Sequence, residues 1–217
     1  MRTIDDSIER LSESLEVYNV SLLGYVCMTN HFHLLLTTPD GNLSDFMRHF
    51  NIGYTGVFNR KYNRSGHLSQ GRYKSFLVQK DEYLKEVSRY IHLNPVRIKK
   101  YSGKNYKEKI SVLNKFRYCS LGGYTNIRKR DDFVNYSTVL DYFGGDTKEG
   151  RRQYRVFVRS GLTGVANPLE TGRGNGIIGS EGFIENIREK YLTKLRPEEQ
   201  RKQPRLKEVK NNFNLKN

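Results

Sequence analysis

Apolar residues punctuate the first seventeen positions at helical intervals. Ile4, Ile8, Leu11 and Leu15 fall on one face and predict an amphipathic helix over residues 3–17. The pattern then changes period. VSLLGYVCM (20–28) is continuously apolar and β-prone, Thr29-Asn30 can turn the chain, and residues 31–38 read as a second strand antiparallel to the first. PDGN is loop chemistry, after which Asn42 can cap a long helix. Its apolar stripe runs through Leu43, Phe46, Met47, Phe50, Tyr54, Val57 and Phe58, and survives Gly53 and Gly56. SFLVQ (75–79) predicts a short strand, and Asp81 opens a helix expected to stop near residue 93, because Pro95 pushes Asn94 out of the α region. The order helix, strand, strand, helix, strand, helix implies a layered α+β domain with an antiparallel sheet.

Beyond residue 100 the periodicity weakens. YSTVLDYFG (136–144) and EGRRQYRVFVRSGL (149–162) read as short helices, ETGRGNGIIGS (170–180) as a glycine-rich loop and EGFIENIREKYLTKL as a further helix. These divide the chain into a domain at 1–125, a small mainly helical extension at 126–195, and a charged tail at 196–217 expected to be disordered.

Charge narrows the partners. Lys and Arg number 38 against 23 Asp and Glu, a formal net charge of +15 in 217 residues, which calls for a polyanion. Nucleic acid leads, since phosphate neutralisation supplies most of its non-specific affinity. A basic RNA-binding module satisfies the same charge. The first residues carry acids and no apolar segment, unlike a secretory signal, and no apolar run approaches the roughly 20 residues that span a bilayer. Two cysteines, Cys27 and Cys119, are too few for a disulfide framework, which fits a reducing cytoplasm.

In MTNHFHLLLTT (28–38), strand alternation sends His31 and His33 one way and Phe32 the other. By itself such a pair is more often a wet polar face than a metal site. Tyr83, Val87, Tyr90 and Asn94 share one face of the helix at 81–93, which makes Tyr90 and Asn94 neighbours one turn apart. A tyrosine hydroxyl, with an ordinary pKa of about 10, attacks a phosphodiester only where a metal polarises the phosphate. His31 and His33 could supply two imidazole ligands and Asn94 a carboxamide oxygen, a set suited to Mg²⁺ or Mn²⁺ with zinc also compatible. Taken singly, Tyr90 also reads as a half-buried amphipathic aromatic and Asn94 as a helix C-terminal residue. The loop at 61–75 interleaves basic residues with aromatics: Arg60, Lys61, Arg64, Arg72 and Lys74 stand among Tyr62, His67 and Tyr73. Single strands are held this way, although a solvated basic loop has the same composition.

Together YVCMTNHFHLLL (25–36), GHLSQGRYKSFLV (66–78) and YLKEVSRYIHLNPVR (83–97) resemble the Y1 family of HUH transposases, in particular the REP-associated tyrosine transposases related to IS200-type elements. The resemblance covers about residues 18–100 and weakens over 101–190, where VLDYFGG, YRVFVRSGL and IIGSEGF resemble the extension of longer members. It implies a ferredoxin-like antiparallel sheet with helices packed on one side. It also implies His31 and His33 as metal ligands, Asn94 at the third ligand position, and Tyr90 as nucleophile. Asn30, Arg60, Lys61, Arg64, His67, Arg72, Tyr73 and Lys74 are the residues expected to face DNA. The expected partner is single-stranded or hairpin DNA, cut through a 5′-phosphotyrosine, by a monomer or homodimer in the nucleoid-associated cytoplasm with no membrane role. The chain departs from the family pattern at Thr29, where proline is usual. It also opens on a helix where relatives open on a strand, and it shows no helix-turn-helix before Asn217. These departures leave open a domesticated copy that binds hairpins without cutting.

Overall fold

The computed structural model describes residues 2–69, 71–164, 166–172, 174 and 176–192. The tail expected to be disordered, 196–217, lies outside these residues. Two compact units emerge, one made of residues 1–73 and 91–164, the other of 74–90 and 165–217.

The first unit begins with α1 (Arg2–Val17), β1 (Ser21–Cys27), β2 (Phe32–Thr37) and α2 (Leu43–Tyr62). β1 and β2 form the expected antiparallel hairpin, closed at its tip by Met28 N–H donating to His31 O at 2.8 Å. Val26 stands opposite His33 and Cys27 opposite Phe32, with a bulge between Leu22 and Gly24. On one face of the hairpin Phe32 meets Phe50 of α2, their ring centroids 5.4 Å apart. Helix α1 lies antiparallel to α2, as the Ser14–His49 and Lys61–Asp6 contacts show. Asn42 precedes α2 without capping it through its side chain. Instead Asn42 Nδ2 donates to Tyr18 O at 2.7 Å and ties the end of α1 to the start of α2.

β1 is buried along nearly its whole length because chain lies against its second edge as well. Cys27 N–H donates to Tyr118 O (2.9 Å), Ser120 N–H to Tyr25 O (3.1 Å) and Asn135 N–H to Leu22 O (2.8 Å). The Ser120 hydroxyl accepts from Tyr25 N–H at 2.9 Å, and Tyr124 Oη donates to the carbonyl of bulged Leu23. Residues 118–135 thus satisfy backbone groups on the second edge of β1.

Helix α3 (Glu82–Arg97) is shared, residues 82–90 belonging to the second unit and 91–97 to the first. Pro95 lies inside it, so the helix does not stop at residue 93 as expected. Leu93 and Val96 are buried, and their burial offsets the hydrogen bond that proline forfeits. The first unit continues with α4 (Tyr106–Lys115), α5 (Leu121–Thr125), α6 (Ser137–Leu140) and α7 (Lys148–Ser160). A reciprocal capping box starts α4: Glu108 N–H donates to Asn105 Oδ1 and Asn105 N–H to Glu108 Oε2. Tyr124, Tyr136 and Tyr154 are fully buried here, and Gly123 passes Tyr136 so closely that a Cβ would stand 2.1 Å from its hydroxyl oxygen.

In the second unit β3 (Leu77–Val78) pairs in parallel with β4 (Ile177–Ile178), between α8 (Pro168–Thr171) and α9 (Glu181–Ile187). The strand read at 75–79 therefore does not extend the hairpin sheet. It pairs instead with two buried isoleucines inside the stretch expected to be a loop. Gln79 fixes the join, its Oε1 accepting from Ser180 N–H at 2.8 Å. Among the described residues no helix is long and apolar enough to cross a membrane. The architecture is α+β with a two-stranded antiparallel sheet.

Candidate functional site

At the hairpin tip the alternation of HFH takes physical form. Phe32 is held on the α2 side, which commits His33 to the opposite face. His31 closes the turn immediately before β2, and its ring meets that of His33 edge to face with centroids 5.1 Å apart. His31 is exposed and His33 half-buried.

Both imidazoles are biased towards the neutral form. Burial lowers the pKa of His31. Burial, reinforced by repulsion from His31, takes His33 down to about 4, against a hydrogen bond to Asn94 that pulls it up. Asn94 is thereby a hydrogen-bond partner of the His33 side chain. Asn94 is itself buried, carried there by the C-terminal part of α3. Neutral imidazole is the metal-binding form, so His31, His33 and Asn94 suit a divalent cation by donor chemistry.

Asn30 lies beside the pair. Its Oδ1 accepts from His31 Nδ1 at 2.7 Å, which assigns the proton to Nδ1 and leaves the Nε2 lone pair for a ligand. Asn30, expected from the sequence to face DNA, is in the structure hydrogen-bonded to His31. Among the described residues no three His, Cys, Asp or Glu side chains converge as a metal cluster, so any protein-held cation here rests on two imidazoles and an amide.

Tyr90 is half-buried and is the last residue of the second unit, one helical turn before Asn94 in the unbroken helix α3. Arg60 and Lys61 form the last turn of α2, where Lys61 is ion-paired with Asp6. Arg64 folds back over the ring of Phe58, 5.7 Å from its centroid. His67 and Arg72 are exposed in the loop that follows, as is Lys74, the first residue of the second unit. Tyr73 shares a hydrogen bond with Ser44 at 3.1 Å.

One histidine of the YIHLN stretch escaped the sequence reading. His92 is fully buried, its Nδ1 2.6 Å from Tyr154 Oη and its Nε2 2.8 Å from Ser120 Oγ. Burial lowers its pKa to about 3. Its position two residues before Asn94, inward on the same helix, was the available signal.

No curated protein and no solved structure gives a significant match to the chain. A family model described as "Transposase IS200 like" matches residues 3–94. That segment, less than half of the chain, holds the hairpin, both histidines of its tip, Tyr90 and Asn94, and over it the chain is similar to the IS200-like transposases.

Proposed function

We propose that the protein is a metal-dependent strand transferase that cuts single-stranded DNA at hairpin-flanked sites and rejoins it through Tyr90. The observation that carries this reading is the hairpin tip, where two neutral imidazoles stand side by side and Asn94 is hydrogen-bonded to one of them. The likeness of residues 3–94 to IS200-like transposases suggests transposition as the biological setting.

His31 and His33 would hold Mg²⁺ or Mn²⁺ with Asn94 as the third protein ligand, and the cation supplies Lewis-acid polarisation of the scissile phosphate. Asn30 keeps His31 in the tautomer that presents Nε2. The Tyr90 oxygen attacks phosphorus and loses its proton to solvent. The new bond is a phosphotyrosine ester, the bond broken is that to the 3′ oxygen, and this oxygen leaves as a free 3′-hydroxyl after taking up a proton. Attack by a 3′-hydroxyl on the phosphotyrosine reverses the step and releases Tyr90, so joining consumes no nucleotide. Basic residues at the end of α2 and in the following loop neutralise the DNA backbone.

The test is incubation with a hairpin-bearing single strand and Mn²⁺, followed by denaturing electrophoresis. A covalent protein–DNA adduct is expected, abolished by Tyr90→Phe and by chelation. Hairpin binding without an adduct would establish the non-cutting copy instead, and selective binding of RNA would establish the RNA-binding module.

A further inference from the structure

The chain that leaves α3 is strongly basic. Between Arg97 and Lys109 six of thirteen residues are Lys or Arg, and one, Glu108, is acidic. That carboxylate is engaged within the segment itself: Lys104 Nζ lies 2.8 Å from Glu108 Oε1, and Asn105 N–H donates to Glu108 Oε2 at 2.8 Å. Lys99, Lys100 and Lys107 are exposed. The segment belongs to the first unit and follows directly on the helix that carries Asn94, with Ile98 four residues beyond it.

Its backbone is held in consecutive turns. Tyr101 N–H donates to Ile98 O at 2.9 Å, Ser102 N–H to Lys99 O at 3.2 Å and Lys104 N–H to Tyr101 O at 3.2 Å. Two tyrosines stand among the lysines. Tyr101 is half-buried, with Lys100 Nζ 5.6 Å from its ring centroid. Tyr106 is the first residue of α4 and is 47% exposed, although the capping box of Asn105 and Glu108 starts this helix without help from its ring. The fold thus fixes the backbone of Tyr106 firmly and leaves nearly half of its surface in water.

We infer that residues 98–107 form a second contact for single-stranded DNA, in which Tyr106 stacks on an unpaired base while Lys99, Lys100 and Lys107 neutralise the neighbouring phosphates. The inference rests on the single-strand reading above and adds a contact outside the hairpin tip and the loop after α2. Lysines alone would suit any polyanion. An exposed ring among them suits a polyanion that also offers a flat π-face, which is an unpaired base. A backbone held by turns and a cap presents that ring at little cost in conformational entropy.

The test is fluorescence anisotropy of a short labelled oligothymidylate, and of an abasic strand of the same length, with the full chain. Tyr106→Ala is expected to weaken oligothymidylate binding about tenfold, Tyr106→Phe to retain it, and the abasic strand to bind wild type and Tyr106→Ala alike. Replacing Lys99 and Lys100 together by Ala should weaken both strands and make the salt dependence shallower by about 1.4 in log–log slope, at about 0.7 per phosphate contact. Unchanged oligothymidylate affinity in Tyr106→Ala would overturn the inference, as would an equal loss on both strands or an unchanged salt slope in the double lysine variant. So would Tyr106-dependent binding to vesicles of anionic lipid with no change in DNA affinity, which would assign the segment to a membrane surface. Binding and adduct formation fail separately. Tyr106-dependent affinity without any adduct refutes the catalytic reading alone, and an adduct formed with Tyr106-independent affinity refutes this contact alone.

Discussion

Two histidine environments meet on the hairpin and put the same side chain to opposite uses. In the core, His92 has both ring nitrogens engaged, by Tyr154 and by Ser120, and no face open to solvent. A Cβ at Gly24 of β1 would stand 3.7 Å from its Nε2, so the ring packs directly on the strand. At the tip, His31 is exposed and has one nitrogen fixed by Asn30. Burial depresses both kinds of imidazole, but a neutral ring is structural where its lone pair is consumed and a ligand where its lone pair is offered. Low basicity alone does not mark a site. The tip is distinguished by what its nitrogens face.

The largest expected break in this contrast comes from His33→Ala. Adduct formation should fall by about 100-fold or more, since several kcal/mol of Lewis-acid assistance is lost, while the urea midpoint stays near wild type. A substantial unfolding shift would place His33 with His92 as a structural residue. His92→Phe should do the reverse. Removing the ring takes a buried partner from Tyr154 and from Ser120, at a cost of about 2–3 kcal/mol in urea denaturation, with metal affinity at the tip retained. A parallel loss of metal affinity would show that the two environments act as one.

A further test of the contrast lies in pH. His92 is depressed to about 3 and His33 to about 4, against an ordinary value near 6.5 in the unfolded chain. Between those limits the unfolded state binds more protons, so stability is constant above about pH 6.5 and falls as the pH drops towards 3. Each group contributes a slope of at most about 1.4 kcal/mol per pH unit. His92→Phe should flatten this limb in urea midpoints taken from pH 7 to pH 4. A His92 imidazole resonance titrating near 6.5 in the folded protein would contradict the sealed network.

Local patterning made the first hundred residues readable. Helical spacing gave α1 and α2, the apolar run and Thr29-Asn30 gave the hairpin, and alternation alone separated Phe32 from His33. The NYKE sequence also carried a legible start for α4, since an Asn with Glu three residues later is a capping box. Other elements depended on distant chain. β3 is two residues long and pairs with Ile177–Ile178, a hundred positions away, so no local period reveals its partner or its parallel direction. Helix α3 passes through Pro95 because burial of its neighbours outweighs the local preference to stop.

By itself the sequence singled out the candidate residues and determined on which side of a strand or helix they lie, because face is set by a period of 2 or 3.6. It placed His31, His33, Tyr90 and Asn94 in order, and the family match covers that span. Only the tertiary structure decided that Asn94 is hydrogen-bonded to His33, that Asn30 serves His31, and that residues 118–135 close the far edge of β1. Asn30 and His31 are chain neighbours, but the other bonds join groups whose sequence separation carries no periodic signal. Buried backbone and ring nitrogens must find partners, but which segment supplies them is settled by packing.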